Sequence, residues 1–292
     1  MIEIYLLEQL TAFRQYGTLS EAAKHLHISQ PALSRSMQKL EEVLDVKLFE
    51  RSKNRIGLSA AGLLAADLAG RILQSEEEMI TAVRNYDRSL NTISVGYCAP
   101  GPMMAFSPQI TSRYSGMMIS SEMDEEEALV HGLISRKYQM IILSYRPEQE
   151  NFLSIPCGTE SLFLSVIPAH PAAVYEKTGV SFHDMNGETF LMAADVGIWE
   201  KIKAEKMPDS RLIRQKDLDL LKEVVNSSSL AAFATDISLR LNGPDYRAGR
   251  IMIPFTDPEA TVHYYCVCLK ENENRLEDWF TFLRQFFCQT DL

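Results

Sequence analysis

The chain has 292 residues, 46% of them hydrophobic, and a formal charge of −10. That length exceeds one ordinary domain and that apolar content can bury more than one core, so two or three domains are expected. Five cysteines, odd in number and scattered, argue against a disulfide framework; Glu3 and Glu8 interrupt any leader and no apolar run reaches a membrane span, so a cytoplasmic protein without membrane contact is expected.

The charge is unevenly divided. Residues 1–60 hold 8 Lys and Arg against 7 Asp and Glu, and the remaining residues 21 against 32, so a near-neutral head precedes an acidic body. A first helix is predicted from Tyr5 to Tyr16, with Leu6, Leu7, Leu10 and Phe13 as its buried stripe. A second starts at Ser20 as N-cap and buries Ala22, Ala23 and Leu26; His27 and Ile28 make a turn. A third opens with Ser29 as N-cap and Pro31 in its first turn, and buries Leu33, Met37, Leu40 and Leu44. Gln30, Ser34, Arg35 and Gln38 are left on the opposite face. From Ala22 to Leu40 there are three Lys and Arg and no acid, as a surface facing phosphate requires. Gln and Arg at the N-terminal end of a helix in the major groove can pair bidentately with adenine and guanine. VKLFERSKNRIGLS then reads as a two-stranded wing, with Arg51, Lys53 and Arg55 around a Ser52-Lys53-Asn54 turn.

These residues carry a resemblance. AAKHLHISQPALSRSMQKLEEVLDVKLFERS followed by LSAAG is similar to the N-terminal signature of the LysR-type transcriptional regulators, from about Leu7 to Gly62. The resemblance implies that Gln30, Pro31, Ser34 and Arg35 face bases while Arg51, Ser52, Lys53 and Arg55 hold phosphates. Gly57 departs from the family's usual longer side chain.

From Ser59 to Asn91 there is no proline, and Leu68, Ile72, Ser75, Met79, Ala82, Tyr86 and Leu90 recur at alternating spacings of four and three. Such a seam calls for a partner helix, and at about 1.5 Å per residue the helix reaches roughly 50 Å. In the resembling family this is the dimerisation linker.

Beyond Asn91 strands alternate with helices. TISVGYC, MMISSE and YQMIILS are strands around helices Met104–Tyr114 and EEEALVHGLISR; SLFLSVIPAHP, TFLMAA, RLIRQ and LAAFA follow, with helices WEKIKAEK and LDLLKEVV between them. VHYYCVCL and the helix RLEDWFTFLRQFF close the chain. The expected architecture is a mainly α winged helix-turn-helix over 1–58, a linker helix over 59–91, and an α/β effector domain over 92–292. Its subdomain I covers about 92–160 plus 269–292 and subdomain II about 161–268. By resemblance that domain is similar to a periplasmic binding protein, with a ligand cleft between subdomains.

Open α/β sheets bind ligands beyond the carboxyl ends of strands and at helix N-termini. That rule selects Ala99, Pro100, Gly101, Pro102 and Met103; Asp124 and Glu125; Gly197, Ile198 and Trp199; and Asn226, Ser227 and Ser228. Family members that bind carboxylates commonly carry Ser or Thr in the first two loops, where this chain has CAPGP and DEEE. The acidic run is either an ordinary helix start or the sign of a non-anionic effector.

The expected function is that of a LysR-type regulator. A homodimer, or a homotetramer made of two dimers, binds an interrupted palindrome in double-stranded DNA, and a small-molecule effector of unknown identity modulates it; RNA polymerase is a further candidate partner. The alternative is a ligand-binding α/β protein with a vestigial DNA reader. An enzyme is not expected: GxSxG, GxGxxG after a strand, the phosphate loop and HExxH are all missing, and His131, His170, His183 and His263 are scattered. No cofactor or metal is expected, and the cysteines, Cys266 and Cys268 included, read as buried thiols.

Overall fold

A computed structural model describes residues 1–52, 55–243 and 249–287, with backbone only for 51, 52, 55 and 285–287. The chain divides into two compact units, Met1–Arg84 and Asn85–Leu292.

In the first unit α1 spans Ile4–Tyr16, α2 Leu19–His25 and α3 Gln30–Leu44. Gly17, at φ 74°, takes the left-handed turn that ends α1 and returns its N–H to Phe13 O. The cap of α2 is Thr18, whose hydroxyl accepts from Glu21 N (3.2 Å), and not Ser20, because the helix begins two residues earlier. Ser29 caps α3 by accepting from Ala32 N (3.3 Å), with Pro31 in the first turn, where a missing N–H leaves no bond unmade. Leu6, Leu7, Leu10, Phe13, Ala22, Ala23, Leu33, Met37 and Leu40 form one core. Leu26 is only half-buried as the cap residue of α2, and Leu44 is exposed because α3 stops there at the left-handed Asp45.

β1 (Phe49–Ser52) and β2 (Arg55–Leu58) pair antiparallel, Phe49 opposite Leu58 and Ser52 opposite Arg55; Ser52, expected in the wing turn, thus lies in β1, and the rest of that turn lies outside the described residues. Glu41 ties α3 to the wing base, its carboxylate accepting from Leu48 N (2.7 Å), Phe49 N (3.2 Å) and Lys47 Nζ (3.0 Å). α4 spans Ala60–Ser89. Ser59 caps it by accepting from Gly62 N (3.0 Å), and Gly62 is obligatory because a Cβ there would lie 2.1 Å from Leu48 O. Ala66 and Ala69 face the three-helix core, while Leu68, Ile72, Met79 and Tyr86 are exposed. Leu90 falls beyond the helix.

The second unit contains β3 (Thr92–Tyr97), α5 (Pro100–Arg113), β4 (Met118–Met123), α6 (Glu126–Ile134), β5 (Met140–Leu143) and the long β6 (Phe152–Val166). There follow α7 (Phe182–Met185), β7 (Thr189–Ala193), α8 (Ile198–Lys206), β8 (Arg211–Gln215), α9 (Leu218–Ser227) and β9 (Ala231–Thr235). α10 (Asp236–Asn242), β10 (Ile251–Pro254), β11 (Thr261–Leu269) and α11 (Glu277–Phe287) complete it. One mixed sheet runs β4-β3-β5-β11-β6-β9-β7-β8, with β10 also on β6. β3 is parallel to β4 and β5 in one half, and β7 to β8 and β9 in the other. The antiparallel pair β6 and β11 runs through the join, Phe152 opposite Leu269 at one end and Ser161 opposite Thr261 at the other.

Three boundaries differ most from the sequence expectation, the first being that the strand expected to run to Pro171 ends at Val166, with Pro171 opening a short 3-10 turn. α5 starts at Pro100, four residues before the expected Met104, because proline is pre-shaped for a helix start. β6 starts at Phe152 and not at Ser161, since its first half alternates too loosely to read as a strand.

Candidate nucleic-acid interface and effector cleft

On α3 Gln30, Pro31, Arg35 and Gln38 are exposed and Ser34 is half-buried, opposite the buried Leu33, Met37 and Leu40. The helix thus presents a polar face from its first residue, held by core contacts on the other side. Arg35 forms no ion pair among the described residues. Lys39, counted with the basic stretch, turns instead to α1, where its Nζ donates to Glu3 (2.5 Å) and Tyr5 Oη (3.3 Å). The wing candidates Arg51, Ser52 and Arg55 lie on the described backbone of β1 and β2; their side chains and the whole of Lys53 lie outside the described residues.

In the second unit the loop after β3 and the start of α8 meet. Ile198 N donates to Cys98 O (2.8 Å), and Gly197, at φ 58° and ψ −130°, passes so close that a Cβ would lie 2.0 Å from that oxygen. Trp199 is buried and its Nε1 donates to Glu160 Oε2 (3.1 Å). Tyr264 Oη donates to the same oxygen (2.7 Å). Gly101, in the first turn of α5, faces Glu160 Oε1 so closely that a Cβ would lie 2.2 Å from it. The structure therefore brings Gly101 and Trp199 against Glu160 and sets Gly197 and Ile198 against Cys98 and Ala99, with Pro102 buried and Pro100 and Met103 half-buried in the first turn of α5.

Glu160 was missed by the cleft rule because it lies within a strand. Its phase with Leu162, Leu164 and Val166 on β6, all buried, was the available signal. Burial pushes its carboxyl above the ordinary range against the pull of hydrogen bonds from Thr235, Tyr264 and Trp199.

Asp124 and Glu125 do not join this cluster. They sit at the exposed approach to α6, where Asp124 Oδ1 accepts from Glu125 N (2.9 Å). The next residue, Glu126, accepts from Ser144 N (2.7 Å) and Ser144 Oγ (2.8 Å). The acidic run is thus a helix start tied to the end of β5.

Asn226, Ser227 and Ser228 are placed at the other end of the sheet. They precede β9, which is parallel to β7, so they lie at the amino end of the strands while Gly197–Trp199 follow β7 at the carboxyl end. A cavity of about 20 Å³ beside Asn226 has room for little more than a water. The carbonyls here are used by Arg250, which is buried and donates to Val225 O (2.8 Å), Ser228 O (3.0 Å), Leu230 O (2.6 Å), Ser165 O (2.8 Å) and Ser165 Oγ (2.9 Å). Arg250→Ala strands those acceptors and is expected to cost the effector body about 3–5 kcal/mol, read as a lower urea midpoint with an unchanged slope.

Two further buried groups stand out. Lys203 on α8 is 2% exposed, with its Nζ 3.4 Å from Met192 Sδ and 4.7 Å from the centre of the Phe233 ring. Burial lowers its amine to about 7. Cys98, Cys157, Cys266 and Cys268 are free and buried, and burial raises each thiol, Cys268 to about 12. Cys288 lies outside the described residues. No helix among the described residues is long and apolar enough to cross a membrane.

Residues 4–63 match the family model of the bacterial regulatory helix-turn-helix proteins, lysR family, and residues 90–288 that of the LysR substrate binding domain. A hydrogen peroxide-inducible genes activator of Dickeya chrysanthemi is 30% identical over 195 residues, 65% of this chain and 63% of that protein. The match therefore spans less than two thirds of that relative's length. The transcriptional regulator CfxR of Cupriavidus necator is 26% identical over 258 residues, 84% of this chain and 79% of its own. Full-length BenM shares the fold with a TM-score of 0.54 at 17% identity, over 100% of this chain and 98% of its own. A cysteine mutant of OxyR from Corynebacterium glutamicum does so with a TM-score of 0.51 at 18% identity, over 98% and 93%.

Proposed function

We propose a mode of action from the premise that this chain belongs to the LysR family: it is a DNA-binding transcriptional regulator with a substrate-binding domain. Gln30, Ser34 and Arg35 read base edges, flanked by Pro31 and Gln38, while the wing residues Arg51, Ser52, Lys53 and Arg55 hold phosphates. The reader comprises residues 1–58, the linker helix 59–91 and the effector body 92–292. The observation that carries this reading is the Ser29-capped α3, which buries Leu33, Met37 and Leu40 and leaves Gln30 and Arg35 exposed.

The exposed Leu68, Ile72, Met79 and Tyr86 on α4 support a homodimer built along that helix, or a homotetramer of two such dimers, with one α3 per half-site. A near-neutral reader draws little affinity from charge alone, so paired half-sites at fixed spacing supply it. The effector acts at the junction of the loop after β3 with the start of α8, by binding two conformations unequally.

Mobility shift on the intergenic DNA upstream of the chain's own gene tests the reading; no shift above that of random DNA at equal salt would sink it. With an operator in hand, Arg35→Ala is expected to cost about 1–3 kcal/mol and to relax preference at one base position. Lys53→Ala should weaken all sequences alike and lower the salt slope by about 1.

A further inference from the structure

Glu160 is a buried carboxyl that sequence-specific regulation does not by itself require. It is 1% exposed and sits where four elements meet: β6 carries it, α8 supplies Trp199, β11 supplies Tyr264 and the first turn of α5 lies against it at Gly101. Indole and phenol donors converge on one carboxylate oxygen, and a glycine clears the approach of a helix N-terminus to the other. That is the construction of a carboxyl-binding site: two side-chain donors on one oxygen, a helix N-terminus against the other, and burial on all sides. Carboxylate, donors and glycine are all buried, so the site is both built and filled.

We propose that this chain occupies its own carboxylate seat: Glu160 takes the place a soluble anion would take between α5 and α8, and so clamps the two halves of the effector body together without one. The proposal rests on reading this junction as the effector cleft. A tethered carboxylate faces its donors at an effective concentration that a millimolar free anion does not match. Simple monocarboxylates are therefore poor ligands of the natural chain, and its effector engages the junction through other groups.

The test is chemical rescue in the full-length chain. Both tryptophans, Trp199 and Trp279, lie in the second unit, so their fluorescence reports its unfolding. Glu160→Ala is expected to melt about 5–10 °C below the natural chain. Sodium acetate at about 50 mM should return roughly half of that loss, while sodium chloride at equal ionic strength should not. Gly101→Ala, whose methyl would crowd Glu160 but leaves it in its seat, should also melt lower and gain nothing from acetate. The natural chain should show no acetate response. Equal acetate responses in Glu160→Ala and the natural chain overturn the proposal, as does the absence of any response in Glu160→Ala. If Glu160→Ala is insoluble, it is refolded with and without acetate, and equal yields overturn the proposal as well. Operator binding is measured separately on the same proteins, so failure of the regulator reading and failure of the rescue remain distinguishable.

Discussion

A Lys203→Met protein is expected to melt about 5–15 °C above the natural chain at pH 7. Lys203 is 2% exposed, makes no ion pair among the described residues, and lies against Met192 Sδ and the Phe233 ring, with the charges of Glu200 and Arg214 acting on its amine in opposite directions. In the unfolded chain the amine titrates near 10.5, whereas burial brings it to about 7 in the folded body. Between these values the unfolded chain holds a proton that the folded chain has released, so stability rises with pH across that window. The cost of the buried cation is full below pH 7 and gone above about pH 10.5. By linkage it is on the order of 4 kcal/mol at pH 7, and the ring contact offsets part of it, leaving about 2–4 kcal/mol for methionine to recover. Denaturant melts at pH 6, 8 and 10 should show the advantage shrinking as pH rises. A constant advantage, or none at pH 6, would mean the amine is solvated in the folded state.

The double variant Ile72→Glu, Met79→Glu is expected to separate the dimer and lower operator affinity by about 10²–10³-fold. Both positions are exposed, at 47% and 60%, and both belong to the apolar stripe along α4. Glutamates facing each other across a coiled-coil seam repel and lose the apolar contact that closes it. Each protomer folds as before, since neither residue packs in its own core. Operator affinity then falls to that of one half-site. Sedimentation equilibrium and fluorescence anisotropy read the two consequences separately. A variant that stays dimeric places the seam elsewhere on the surface.

The sequence was most legible where structure is local. The three helices, the Ser29 cap and the two wing strands follow from spacings within about 15 residues, while the Thr18 cap, the placement of Ser52 in β1 and the fates of Leu26 and Leu44 differ. Legibility fell where a residue's role depends on distant partners. Glu160 meets Trp199 across 39 positions and Tyr264 across 104, and Arg250 reaches Ser165 across 85. Asn226–Ser228 resemble a polar ligand loop in composition, but strand direction puts them at the wrong end of the sheet. β10 and α10 gave too short a signal to register. A usable signal for the buried charges did exist: Lys203 falls four residues after Trp199 and four before Met207, a helical face otherwise apolar.

The position of β11 between β5 and β6 has a consequence for how the protein is made. Residues 261–269 form the last strand among the described residues but the middle of the sheet, so on the ribosome the effector body waits for them with two unmatched strand edges. The DNA-reading core, whose buried residues end at Ala69, needs nothing from downstream and can form while synthesis continues. A message truncated ahead of codon 261 would yield a competent reader joined to a body exposed to chaperones and proteases, so cellular quality control, rather than loss of the reader, would decide its fate.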